Sequence, residues 1–327
     1  MREPDRKGVT RLIAGYAAIV FILPYLAIKI AWISGIPVGM PDKNLVAAPS
    51  MLALNILTFF MDAVAILLAL TFAHRWGLRA HPWPVLFPMW VGMGFLAPIA
   101  VATPITALAR MLGLDSSEGS SYEAGAGGQS MLEPWVTKMV YTSFVGQGLF
   151  LMAAFILYAN ARWGASLRTR IGDGRPPRPA IALLGNTASV VAAAAGLLHL
   201  LWATGTPLGI PQRLLRGQGV NFYLSQATFG LAALGAATGT VMLVNRLGRW
   251  PLWLPLSLAW TGAGAMFSWG SWLLLANALT FSRGESAWLL TVPNIMKTGA
   301  GLLIGALIGP LVASSTRVSY LIATPPK

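Results

Sequence analysis

Eight stretches of this chain, each about 20 residues or longer, are almost free of charge. A helix of that length crosses the roughly 30 Å hydrocarbon core of a bilayer. The stretches are 12–33, 51–72, 83–107, 135–158, 180–203, 222–244, 251–279 and 293–313. Pro84, Pro88, Pro98 and Pro104 interrupt the third, and Pro251 and Pro255 open the seventh, so kinks are expected there. Charged residues make up 10% of the chain and hydrophobic residues 56%, whereas a soluble domain carries roughly 25% charged residues. The expected fold is therefore an all-α membrane protein with eight transmembrane helices. A cytosolic enzyme, a disordered chain and a secreted disulfide scaffold are excluded.

The net charge of +13 would suit nucleic acid if the protein were soluble. Here topology explains it, and no nucleic-acid partner is expected. With the N-terminus inside, fifteen Lys and Arg residues fall in inner segments, seven at outer ends, and Lys29 inside a span. This bias predicts a cell-membrane protein with both termini cytoplasmic. The first span follows Arg2, Arg6, Lys7 and Arg11 but is too long for a signal-peptide core, and it is expected to be retained. Trp32, Trp135, Trp202 and Trp288 at outer ends, and Trp76, Trp163, Trp250 and Trp253 at inner ones, read as interfacial anchors.

An internal repeat organises the chain. Trp32, Gly35, Pro37, Gly39 and Pro41 recur as Trp202, Gly205, Pro207, Gly209 and Pro211, a constant offset of 170 residues. Pro84 and Pro88 correspond to Pro251 and Pro255. Pro134, Lys138 and Gly146 correspond to Pro293, Lys297 and Gly305. The reading is a duplicated four-span unit: a first repeat at 1–159, a basic cytoplasmic linker at 160–179 and a second repeat at 180–327. Four spans is an even number, so both copies face the same way and should relate by a pseudo-twofold along the membrane normal.

The motif, with Lys29 or His199 three residues before the tryptophan, resembles that of small four-helix bacterial membrane proteins of unknown function. The chain looks like a fused tandem copy of such a unit, a resemblance that spans about 13 residues in each half. It implies a fold and no activity.

Ionisable and polar groups inside a bilayer are expensive and mark candidate sites. Lys29, His199, Lys138 and Lys297 fall three or four residues from the outer ends of their spans, with Asn55 and Ser225–Gln226 level with them. They predict a polar belt roughly 5–7 Å below the outer interface. Lys29, Asn55, His199, Gln226, Lys138 and Lys297 are accordingly the candidate substrate-binding residues. The alternative for the lysines is snorkelling, in which the stem lies in the bilayer and the ammonium reaches the interface. Asp62 is the one acid within a span, near its midpoint, about 10 Å deeper than Lys29 and with no cation at its own level. It reads either as a proton-coupling carboxylate or as a protonated acid bonded to a neighbouring helix. The Gly- and Ser-rich outer loop at 115–130 reads as a mobile segment and a possible lid.

Cysteine is absent and only three histidines occur, so no metal site or cofactor is expected. No catalytic motif is present, and no catalytic residue is assigned. The lipid bilayer is the expected partner, with a topogenic linker whose Arg162, Arg168, Arg170, Arg175 and Arg178 offer a contact for anionic lipid. A homo- or hetero-oligomer is equally compatible with the chain. Three functions remain open: a transporter or flippase-like carrier of a small anionic or lipid-linked substrate, a non-catalytic membrane subunit or assembly factor, and an embedded enzyme acting on a lipid or isoprenoid.

Overall fold

The computed structural model describes residues 6–113, 132–173, 175–209, 219–280 and 287–315. The loop at 115–130, Pro211 and Arg2 lie outside them, and the side chain of Trp288 is likewise not described. Eight long helices account for most of the described chain: α1 Arg6–Ile33, α2 Pro49–Ala73, α3 Pro82–Met111, α4 Pro134–Leu167, α5 Pro179–Ala203, α6 Val220–Asn245, α7 Trp253–Thr280 and α8 Ala287–Ser315. Four of them begin on a proline, a residue suited to the first helical position because its missing N–H would have no partner there.

Seven of the eight are long and apolar enough to cross a membrane, and the protein is a multi-pass, all-α membrane protein. The exception is α7. Trp260, Trp269, Trp272, Ser268 and Ser271 lower its mean hydropathy, and its middle is enclosed: Ala259, Ala263, Ala265, Met266 and Ser268 are all buried. A helix shielded from lipid by other helices can carry such residues. The helices differ from the sequence expectation in several places, α1 for one beginning at Arg6. Helix α3 runs unbroken through Pro88, Pro98 and Pro104; α4 continues nine residues past Tyr158 and takes in Arg162; and α8 begins at Ala287 rather than at Pro293.

The chain forms two compact units. The first comprises Met1–Met89, Ile99–Tyr158 and Arg216–Leu224, and the second Trp90–Pro98, Ala159–Leu215 and Ser225–Lys327, each where described. In the first unit α1 and α2 form an antiparallel pair, with Gly15 against the Ala69 carbonyl and Lys29 against the middle of α2. Tyr158 of α4, fully buried, packs on Phe72 and donates to the Gly77 carbonyl at 3.1 Å. In the second unit small residues let helices approach closely, as membrane helices require. Gly94 of α3 lies so close to Gly264 of α7 that a Cβ would strike its carbonyl, and the Trp90 indole donates to the Trp260 carbonyl at 3.0 Å. Arg246, which ends α6 at φ +53°, donates to the Leu311 carbonyl and the Ser314 hydroxyl at the end of α8, and to the Arg175 carbonyl of the linker. Burial draws its guanidinium below the ordinary arginine pKa.

The two glycine–proline turns that follow α1 and α5 share one hydrogen-bond pattern. Trp32 Nε1 donates to the Val38 carbonyl at 2.9 Å, and Trp202 Nε1 to the Leu208 carbonyl at 2.8 Å. The Gly35 and Gly205 amides return to the Trp32 and Trp202 carbonyls. Gly35 and Gly205 adopt φ +82° and +81°, and Gly39 and Gly209 +64° and +70°. Both tryptophans are buried. They close their turns from inside rather than anchoring at the interface as their positions suggested, because a buried indole N–H needs an acceptor and the turn supplies one.

The surroundings of the two turns differ, which gives a first prediction. A Cβ on Gly39 would strike the Val136 side chain, while one on Gly209 meets nothing within 4 Å among the described residues. Gly209→Ala should cost only the left-handed backbone penalty, about 1–2 kcal/mol. Gly39→Ala adds overpacking of about 1–3 kcal/mol. Thermal unfolding of the purified variants checks this, and equal losses would contradict it.

Candidate functional site

All the polar residues picked out in the sequence except Lys138 lie in two clusters, one in each unit. In the first, Lys29 of α1 is 1% exposed, and its Nζ donates to Asp62 Oδ2 at 2.6 Å and to the Thr58 carbonyl at 3.1 Å. The two acceptors lie one turn apart on α2, so the ammonium sits between successive rungs of the same helix face. The Tyr25 ring, one turn back along α1, lies 4.1 Å from Nζ and adds a cation–π contact. Asn55 is also buried, two turns from Asp62 on α2.

This pairing gives Asp62 a cation although none lies at its own level along the spans. Side chains on a helix lean toward its N-terminus. In an antiparallel pair, Lys29 near the end of α1 and Asp62 midway along α2 lean toward each other. The lean and the four-carbon lysine stem together close a gap that a count of axial depth leaves open. Lys29 does not snorkel outward; it reaches inward.

The second cluster joins α5, α6 and α8. His199 of α5 is buried, and its Nδ1 lies 2.6 Å from Gln226 Oε1 of α6. An amide oxygen only accepts, so Nδ1 carries the ring proton and Nε2 keeps a lone pair. The ring packs edge-on against Trp202 at 4.9 Å and beside Phe229 at 5.8 Å. Lys297 of α8 is 5% exposed, with Nζ 5.6 Å from the Phe229 centroid. Among the described residues no carboxylate pairs with it.

His199 and Lys297 form the polar end of a cavity of about 130 Å³ between α5 and α8. Its remaining walls are Val191, Ala194, Ala195, Leu198, Pro293 and Met296. A larger apolar groove of about 300 Å³ lies between α6 and α7, and neither space is lined by Lys29 or Asp62. Ala232, at the offset of 170 from Asp62, lines the larger one.

Lys138 does not join either cluster. It is exposed, and its carbonyl accepts the Thr142 hydroxyl at 2.7 Å. Lys138 and Lys297 each stand four residues after a proline, yet α4 starts at its proline whereas α8 starts six residues before, so the shared motif does not give a shared environment. Four linker arginines, Arg168, Arg170, Arg175 and Arg178, are exposed. Arg162 is partly covered and lies over the Trp163 ring at 4.9 Å.

Three participants escaped the sequence reading: Tyr25, Phe229 and the Thr58 carbonyl. Part of the signal was available, because Thr58-Phe59 and Thr228-Phe229 also recur at the offset of 170. Among the described residues no three His, Asp or Glu side chains converge as a metal site requires. Comparison with known proteins returns no match, whether to a family model, a curated protein or a solved structure.

Proposed function

We propose that the protein is a flippase-like carrier of a small anionic or lipid-linked substrate, which binds at Lys297, His199 and Gln226. The carrying observation is Lys297: a buried ammonium with no carboxylate partner among the described residues, lining a cavity with His199 and six apolar residues. An unpaired buried cation is costly, and an anion entering the cavity relieves that cost. The groove runs from polar at His199 to aliphatic at Val191, deeper along α5. That gradient is the one a lipid presents, head at the interface and chain toward the bilayer centre.

In the same reading the chain crosses the cell membrane eight times, α7 included, with both termini cytoplasmic. It descends from a tandem duplication of a four-helix unit, with the halves related by a pseudo-twofold along the normal. The matched turns support this, as does the pairing of Trp90 with Trp260 and of Gly94 with Gly264 across the same offset of 170. Residues equivalent under a twofold meet one another at its axis. The exposed linker arginines fit an anionic-lipid surface on the cytoplasmic side.

The test is flux of a fluorescent anionic lipid in proteoliposomes. Lys297→Met should lower the rate at least about tenfold, since a hydrogen bond to a charged group contributes about 1.5–3 kcal/mol. Unchanged flux would remove Lys297 from the site. A second reading, a non-catalytic subunit, draws on the first unit, where Lys29 and Asp62 satisfy each other and face neither cavity. On that reading no anionic lipid is moved at all.

A further inference from the structure

The two ends of the His199–Lys297 site ask for different things from a ligand. Lys297 Nζ is a donor only. His199 Nε2 is an acceptor only, because Gln226 Oε1 holds the ring proton on Nδ1. Among the described residues Nε2 has no hydrogen-bond partner, and the imidazole lines the cavity beside Lys297. A head group that fills this corner must therefore offer an anionic oxygen to one side and an O–H to the other.

Anionic lipid head groups differ in this respect. A carboxylate has two acceptor oxygens and no proton, so one oxygen would face the Nε2 lone pair. A phosphodiester has the same fault. A phosphomonoester monoanion carries both functions on one phosphorus, P–O⁻ for the ammonium and P–O–H for the imidazole. It also brings a single negative charge to a single buried positive one, leaving the occupied site neutral, as a low-dielectric surrounding requires. The cavity of about 130 Å³ is well above the space of one water, so a head group of this size has room. The aliphatic walls at Val191, Ala194, Ala195 and Leu198 then receive the start of the chain.

Resting on the carrier reading above, we infer that the substrate is a lipid-borne phosphomonoester, and that the hydrogen bond from its P–O–H to His199 Nε2 selects it over phosphodiester and carboxylate lipids. Lys297 supplies affinity for any anion, and His199 supplies the discrimination. Gln226 acts as a positioning residue by fixing the tautomer.

The experiment measures lipid retention by the full-length protein in phosphatidylcholine nanodiscs doped with a few mole per cent of one test lipid. The test lipids are phosphatidic acid, phosphatidylmethanol (a phosphodiester with no head-group hydroxyl) and oleate. The assay runs near pH 6, about the second ionisation of a phosphomonoester. Phosphatidic acid should be retained about tenfold over the other two, the value of one hydrogen bond to a charged group. His199→Ala should bring the three lipids to equal retention, and Gln226→Leu should narrow the preference to a few-fold while the imidazole remains. Lys297→Met should lower retention of all three.

Equal retention of the three by the unaltered protein, with all three still dependent on Lys297, overturns the phosphomonoester inference and leaves the carrier reading standing. Retention indifferent to Lys297→Met overturns both. Glycerol phosphate, a water-soluble phosphomonoester, should fail to compete at equal concentration. If it competes equally, the ligand is a solute rather than a lipid, and the lipid-borne inference falls. The comparison of lipids on the unaltered protein does not depend on any variant folding.

Discussion

Asp62→Leu is expected to destabilise the protein by about 3–5 kcal/mol, the cost of leaving one member of a buried ion pair without its partner. The stranded group is the Lys29 ammonium, 1% exposed, which would retain only the Thr58 carbonyl and the Tyr25 ring. Asp62→Asn keeps a carbonyl acceptor and should lose less. Lys29→Met combined with Asp62→Leu should recover most of the loss, because a buried ion pair replaced by packed apolar groups is often neutral or stabilising. Unfolding of purified protein in mixed detergent micelles measures all three against the unaltered protein. The set also separates two roles for the carboxylate. A proton-coupling Asp62 predicts that Asp62→Asn unfolds like the unaltered protein while flux is lost. A structural pair predicts the reverse for the double variant, stable and still moving lipid through the His199–Lys297 cavity. If Asp62→Leu unfolds within about 0.5 kcal/mol of the unaltered protein, the range of an ordinary surface substitution, the pair holds nothing together.

The two polar clusters occupy matching positions, yet their chemistry differs. Lys29 and His199 stand at the same place in the repeated motif, each tied to the following helix of its own pair. In the first unit the tie is an ion pair with an internal carboxylate. In the second the partner is neutral Gln226, and the position equivalent to Asp62 is Ala232. The cation left over in the second unit, Lys297, comes from α8 instead. On the carrier reading the internal carboxylate of the first unit fills the role that a ligand anion fills in the second. One half is closed by its own side chains and the other is left to bind.

Much of this was legible in the chain. Length and the absence of charge locate the apolar helices, because few other solutions satisfy the backbone in hydrocarbon. The Trp-x-x-Gly-x-Pro-x-Gly pattern marks the turns, because glycine is needed where φ is near +65° to +82°. Side-chain direction was not legible. Counting 1.5 Å per residue places Cα atoms and ignores the lean that brings Lys29 to Asp62. Nor does position along a helix tell which face a residue occupies, and so Lys138 and Lys297 separate into an exposed and a buried lysine. Trp32 and Trp202 show the same limit. A tryptophan at a span end suits an interface, but a carbonyl three residues beyond a nearby glycine also suits its N–H, and only the folded turn decides.

Residues of α3 and α7 recur in step with the turns, whereas the prolines near their starts do not. Pairing Pro84 and Pro88 with Pro251 and Pro255 gives an offset of 167, three residues out of step with the turns. Trp83, Leu86, Trp90, Gly92 and Gly94 recur as Trp253, Leu256, Trp260, Gly262 and Gly264, at 170. The physical reason that these residues recur is visible at Gly94. Its missing side chain admits the Gly264 backbone, and the Ser268 hydroxyl donates to the Val91 carbonyl at 2.9 Å alongside. Prolines near a helix start answer to local backbone needs and can drift by a turn; a glycine against a facing backbone cannot.

Gly94→Leu should therefore be among the most damaging single changes in the chain. Even a methyl group at position 94 would meet the Gly264 carbonyl, which is backbone and cannot swing aside, so α3 and α7 must separate. Overpacking of a tight core costs about 1–3 kcal/mol per site and sometimes more. Separating the helices would also loosen the Trp90 hydrogen bond and the stacking of Trp90 on Phe267, whose centroids lie 5.0 Å apart. The expected result is a loss of at least about 3 kcal/mol, seen as collapse of the monodisperse peak in size-exclusion chromatography. Gly92→Leu supplies the contrast two residues away, since a Cβ there meets nothing within 4 Å, and it should behave like the unaltered protein. Gly94→Ala should fall between them, because its single methyl already demands that the two backbones part. Should Gly92 and Gly94 tolerate leucine equally, α3 and α7 do not meet through these glycines.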